Sequence, residues 1–148
     1  MKLAVMFHLL GAVVWIGGMF FAYLALRPAA SRLEPPQRLP LWAATLERFF
    51  RWVWAAIALI LASGFYMVAI IAELGRVPLH VHLMLYIGIV MTLIFAYVYF
   101  SPFPTLRRAV AAQDWQAGAR ALNQVRIAVA VNLALGLLTI VVATAGGS

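Results

Sequence analysis

Three histidines, a tryptophan and a few glycines carry the chemistry this sequence can offer. His8 lies inside residues 3–26, a stretch with no Asp, Glu, Lys or Arg. With helical spacing, Ala4, His8, Gly11, Trp15, Gly18 and Ala22 fall on one face, which offers an imidazole, an indole and small residues. Small residues let another group approach the backbone closely. An ionisable side chain at that depth in an apolar helix is a functional hypothesis by default. His80 and His82 stand near the start of a second apolar stretch. Neutral imidazole ligates both haem iron and transition metals, and two histidines on facing helices could hold either. Single histidines more often serve as hydrogen-bonded packing residues, so the case rests on their being brought together.

The elements that must position them are membrane spans. The chain of 148 residues is 66% hydrophobic and 10% charged, with a mean hydropathy of +1.00. A soluble domain is roughly half apolar and about a quarter charged. Crossing a bilayer takes ~20 apolar helical residues, and four such runs are present, at about residues 2–26, 46–72, 79–100 and 125–145. The expected fold is all-α, an integral-membrane four-helix bundle forming a single transmembrane domain over residues 1–148. The start imitates a signal peptide, but its apolar run is too long and lacks a small-residue cleavage site, so it reads as a retained span.

Breaks and turns follow the same logic. Arg27 and Pro28 end span one, and the Pro-rich, charged stretch that follows cannot be one helix. Gly75 follows the end of span two, a common helix stop. Pro78 opens span three, where its missing N–H costs nothing. Pro102 and Pro104 end that span. The polar region from Thr105 to Arg126 is expected to include an interfacial amphipathic helix, with Trp115 near the lipid boundary. Trp52 and Trp54 are candidate interface anchors. Asn132 is a candidate for polar glue between helices.

The charge of +7 does not indicate nucleic acid, because the basic residues sit between spans rather than on a polar module. Arg27, Arg32, Arg38, Arg48 and Arg51 share one connection; Arg107, Arg108, Arg120 and Arg126 share the other. Lys2 and Arg76 are left on the opposite side. The positive-inside rule then puts both termini in the periplasm of a bacterial inner-membrane, multi-pass protein. His8 lies six residues past Lys2, about 9 Å along a helix. With His80 and His82 at the start of span three, all three imidazoles fall in the outer half. His80 and His82, two residues apart, point to roughly opposite faces, and the sequence does not choose between them as the partner of His8.

Other chemistries are excluded or weak. There are no cysteines, which removes disulfides, thiolate metal sites and iron–sulfur clusters. No Ser/His/Asp arrangement, phosphate-cradling loop or paired carboxylate occurs in a span. Met6, Met19, Met67, Met84 and Met91 are soft ligands for Cu(I) in principle, but they are dispersed in the sequence, as filler in a membrane bundle ordinarily is.

At the level of family, FHLLGAVVWIGGMFF at residues 7–21 resembles the first helix of the CopD-type membrane proteins and of the related HemJ-type protoporphyrinogen oxidases. Both place a His one turn into the helix and a Trp seven residues later; the matching residues here are His8 and Trp15, and Gly17-Gly18 is more similar to CopD. PLHVHLMLYIGIVM at residues 78–91 resembles the HemJ third helix, with His80 at its His and His82 where that group has Lys. Asn123-Gln124-Val125-Arg126 is similar to the HemJ Asn-Glu-Val-Pro run, with two of its four residues changed.

The resemblance implies a haem b scaffold with ligands from helices one and three. The missing Lys and Glu argue against protoporphyrinogen oxidation, while the CopD side implies copper uptake or tolerance. The leading expectation is therefore a haem b redox protein, with iron held by His8 and either His82 or His80. Trp15 would line the pocket, Gly11 and Gly18 would open the slot, and Arg76 would meet the propionates. A quinone or porphyrin-like substrate would exchange electrons with it. The alternative is a copper-handling protein using the same histidines with Met6 or Met84. A third reading is a structural subunit of a larger complex, or a homo-oligomer.

Overall fold

The computed structural model describes residues 1–147. Its elements are α1 (Lys2–Phe21), a π-helical segment (Ala22–Leu26), α2 (Arg27–Ala30), α3 (Pro35–Glu73), α4 (Leu79–Phe100), α5 (Pro102–Ala111) and α6 (Trp115–Ala145). The protein is an all-α bundle, and the four stretches Lys2–Ala30, Pro35–Glu73, Leu79–Ala111 and Trp115–Ala145 are each long and apolar enough to cross a membrane. α1 packs chiefly on α3, and α4 on α6, each pair antiparallel.

Two helices are longer than the expected spans. α3 begins at Pro35 rather than near residue 46, and α6 at Trp115 rather than near 125. A 39-residue helix is ~58 Å long, about twice the hydrocarbon thickness, so α3 extends well beyond the bilayer at its basic end. The prolines misled here for a local reason. Pro35 and Pro36 occupy the first turn, where an N–H has no intrahelical partner anyway. Pro40 lies inside the helix and removes a single bond.

At the end of α1, Pro28 removes the N–H that would bond to Leu24, and the backbone widens to π geometry over Ala22–Leu26 before α2. Gly75 adopts φ 135° in the α3–α4 turn, a conformation that suits glycine. The amphipathic helix is α5, Pro102–Ala111, which buries Phe103, Leu106 and Ala109 against the bundle. Trp115 instead opens α6, whose first turn is capped by Asp114 accepting from the Ala117 N–H at 3.1 Å.

The core is aromatic and sits towards the basic end. Phe50 meets Phe95 at 5.2 Å and Phe103 at 4.9 Å between ring centroids, both edge-to-face. Trp54 adds edge-to-face contacts with Phe95 at 4.9 Å and Tyr99 at 5.4 Å. It therefore packs into the bundle, whereas Trp52 is exposed. Such pairs contribute about 0.5–1.5 kcal/mol each beyond area burial. Gly136 brings α6 close to α1: a Cβ there would stand 2.9 Å from Ile16 Cγ1.

Candidate metal site

His8 reaches its partners because α1 and α3 are nearly in backbone contact. At Gly11, a Cβ would lie 2.8 Å from Ile60 Cγ1 and 2.9 Å from the Ala56 carbonyl oxygen. This closeness puts His8 Nδ1 at 3.2 Å from the Ile60 carbonyl oxygen and 3.1 Å from Ser63 Oγ. The ring also lies over Gly64, where a Cβ would be 3.4 Å from Cε1.

The partners fix the tautomer. A carbonyl oxygen only accepts, so Nδ1 carries the hydrogen and donates it. The Ser63 hydroxyl donates back to the Leu59 carbonyl, leaving its oxygen free to accept from the same Nδ1–H. Nε2 is then the unprotonated nitrogen and has no hydrogen-bond partner among the described residues. A ring N–H held by a backbone carbonyl, with the other nitrogen free, is the second-shell arrangement of metal-ligating histidines.

His8 lines a cavity of about 260 Å³ bounded by α1, α3, α4 and α6. The other lining groups that matter chemically are Trp15, Met67, Met84, Met91 and Thr139. Thr139 spends its hydroxyl hydrogen on the Leu135 carbonyl at 2.9 Å. Trp15 is buried, with its ring edge-to-face with Phe95 at 6.3 Å. No carboxylate lines the cavity. Its donors are one imidazole and three thioethers, all neutral and mostly soft. Soft neutral ligands suit Cu(I), and a single positive charge costs less than two to hold without a counter-charge.

The structure does not bring the three imidazoles together. On α4 the cavity wall is Val81, Met84, Leu85 and Gly88, the strip that lies between the directions taken by the two histidines. His80 packs against Gly146 at the end of α6. His82 is exposed, with Nδ1 3.2 Å from its own Pro78 carbonyl. Arg76 is exposed in the α3–α4 turn.

The glycines offered for a haem slot are taken by side chains: Ile60 fills the space at Gly11, and the Phe49 ring lies against Gly18. Met6 is exposed and does not line the cavity. Among the described residues, no three His, Cys, Asp or Glu side chains could hold a metal together. The residues present therefore do not fit a haem held between two imidazoles. A metal in this cavity would depend on methionine sulfur beside His8.

In the sequence Met67, Met84 and Met91 are dispersed. That they line one cavity depends on how α3 packs beside α4 and has no local signature. Ser63 carries a single signal in the sequence, a hydroxyl one residue before Gly64 in an apolar stretch. Asn132 is buried, and its Nδ2 donates to the Met91 carbonyl at 3.1 Å, tying α6 to α4 beside the cavity.

A family model described as CopD, copper resistance protein D, matches residues 43–145, well over half of the chain. The match covers α4, α5, α6 and most of α3; α1, with His8 and Trp15, precedes it. No curated protein and no solved structure matches the chain.

Proposed function

This chain belongs to the copper resistance protein D family, a family of multi-pass inner-membrane proteins, and from that premise we propose that it binds Cu(I) within the bundle as part of copper uptake or tolerance. His8 Nε2 supplies the nitrogen ligand, and thioethers from Met67 and Met84 supply the sulfur, while Met91, whose Cε lies beside Gly136 at the depth of Ile16, lines the deeper part of the cavity. The observation that carries this reading is the shared cavity: the His8 imidazole, with a fixed tautomer and an unpaired nitrogen, lines the same space as three methionines.

Ser63 and the Ile60 carbonyl orient the ring, and Trp15 closes the cavity floor with an apolar face. Copper is the cargo rather than a resident cofactor, and the donor set is suited to releasing it. Thioethers bind the monovalent ion without the tight, charged grip of thiolates. The haem reading receives no comparable support from the donor set.

The test is a Cu(I) competition titration of the purified full chain in detergent, read against a colorimetric Cu(I) chelator. About one equivalent is expected to bind, with sulfur and nitrogen scatterers in its X-ray absorption spectrum. His8→Ala should weaken binding by about tenfold or more, the size of one good ligand contact. Met84→Leu, which conserves volume, should weaken it while leaving the thermal midpoint nearly unchanged. Failure to retain copper, together with unaltered copper tolerance in a deletion strain, would overturn the proposal.

A further inference from the structure

The opposite end of the bundle holds a second cavity, of about 320 Å³, with the reverse chemistry. Three guanidinium groups from three separate elements line it: Arg27 at the start of α2, Arg38 on α3 and Arg126 on α6. No Asp or Glu lines it. The three charges meet only neutral or aromatic partners. Arg126 donates to Asn123 Oδ1 at 2.6 Å, Arg38 donates to the Leu33 carbonyl at 3.4 Å, and Arg27 sits over the Tyr23 ring at 4.9 Å. The one ion pair among the described residues, Arg51 with Glu47, lies elsewhere.

Like charges gathered around one cavity repel, and among the described residues no carboxylate pairs with any of the three. The floor beneath is apolar, made by Leu46, Phe49, Val125 and Val129. The π-helical segment borders it: Ala22 and Tyr23 line the cavity, and the segment leads directly into Arg27. Pro28 causes that widening, and such π segments frequently mark functional sites.

We propose that this cavity is a binding site for a phosphate ester with an apolar body, the phosphate held by Arg27, Arg38 and Arg126. Guanidinium forks match phosphate oxygens in shape and charge, and basic pockets between membrane helices take lipid head groups. The apolar floor accommodates the first part of an acyl chain, which a soluble phosphate would leave bare. The site is independent of the copper reading, since it shares no lining residue with the His8 cavity.

The test is native mass spectrometry of the full chain in neutral detergent supplemented with phosphatidylglycerol, phosphatidylcholine or inorganic phosphate, with thermal midpoints measured in parallel. Phosphatidylglycerol is expected to stay bound and to raise the midpoint, and phosphatidylcholine to do much less. Arg38→Gln and Arg126→Gln should each lower phosphatidylglycerol retention by about tenfold, the loss of one charge-assisted contact. Arg107→Gln and Arg108→Gln, which lie outside the cavity, should not.

Stabilisation by inorganic phosphate that disappears in Arg38→Gln would support the site and assign it to a soluble phosphate. Equal retention of the two lipids overturns the proposal, as does a loss that follows Arg107 and Arg108 instead. Folding of each variant is confirmed by its helical circular dichroism.

Discussion

The two ends of this bundle are built on opposite terms. Towards the basic end, Phe50, Phe95, Phe103, Trp54 and Tyr99 interlock edge-to-face around a tight core, and the long helices continue past the bilayer to lengthen their contacts. Around His8 the same four helices stand apart by a cavity of about 260 Å³ walled by flexible methionines. The aromatic core holds the helices together; the His8 cavity leaves soft donor atoms unspent. A lipid bilayer gives helices no hydrophobic drive to associate, so packing must supply the stability. Concentrating it in the aromatic core frees the region around His8 to keep a space.

That separation can be broken most severely at Phe50. Its ring is nearly fully buried between Phe95 and Phe103, and Phe50→Ala is expected to destabilise the protein by about 3 kcal/mol or more. Thermal unfolding in detergent reads this directly. Cu(I) affinity of the fraction that remains folded should change little. A fall in affinity as large as that of His8→Ala would show that the two ends are not separable.

Gly11→Leu attacks the junction between them. Even a Cβ at Gly11 would crowd Ile60 and the Ala56 carbonyl, so α1 must move off α3 at a cost of about 1–3 kcal/mol. The same movement lengthens the hydrogen bond from His8 Nδ1 to the Ile60 carbonyl. Stability and Cu(I) affinity should therefore fall together, unlike in Phe50→Ala. Loss of stability with copper binding intact would mean that the His8 ring is positioned by something other than α3.

Ser63→Ala sharpens the comparison at the binding end alone. Ser63 is buried, and its hydroxyl links His8 Nδ1 to the Leu59 carbonyl. Its removal leaves the Ile60 carbonyl to hold the tautomer. Stability should change by about 1 kcal/mol or less, while Cu(I) affinity should drop by roughly tenfold, the low end for a second-shell partner. Threonine at this position, which retains the hydroxyl, should restore most of the affinity.

The sequence and the structure part company along the same line. Apolar runs give the number of spans because a bilayer demands internally bonded helices of a set length, and Gly75 and the α5 amphipathic segment are marked by local rules. The true start of α3 is not, because Pro35 and Pro36 read as breakers until their place in a first turn is known; nor is that of α6, whose first turns are polar and fall outside the apolar run. His8 is visible as a lone polar residue in an apolar helix. Its partners are not: Ile60 contributes a backbone atom that no residue type advertises, and Met67, Met84 and Met91 belong to two helices whose relative rotation is set by tertiary packing. The expected pairing with His80 or His82 rests on depth and on a family resemblance. Depth follows from chain position, whereas facing requires a rotation that Val81, Met84 and Gly88 take instead.

Asn132 is the place where the contrast should matter least. It sits between the aromatic core and the cavity, with Nδ2 donating to the Met91 carbonyl and Oδ1 buried without a partner among the described residues. The donated bond is worth about 0.6 kcal/mol on average between membrane helices. The unpaired oxygen costs a comparable amount, because burial strips it of water and returns nothing. Asn132→Leu removes both and keeps the same branched side-chain skeleton, so the net change in stability should be smaller than about 0.6 kcal/mol in either direction. Met91 keeps its place through packing rather than through that bond, being almost wholly buried, so Cu(I) affinity should stay within about twofold of wild type. A large loss of affinity without a loss of stability would make Asn132 a positioning residue for the Met91 thioether and would draw the boundary of the binding end one helical turn closer to the aromatic core.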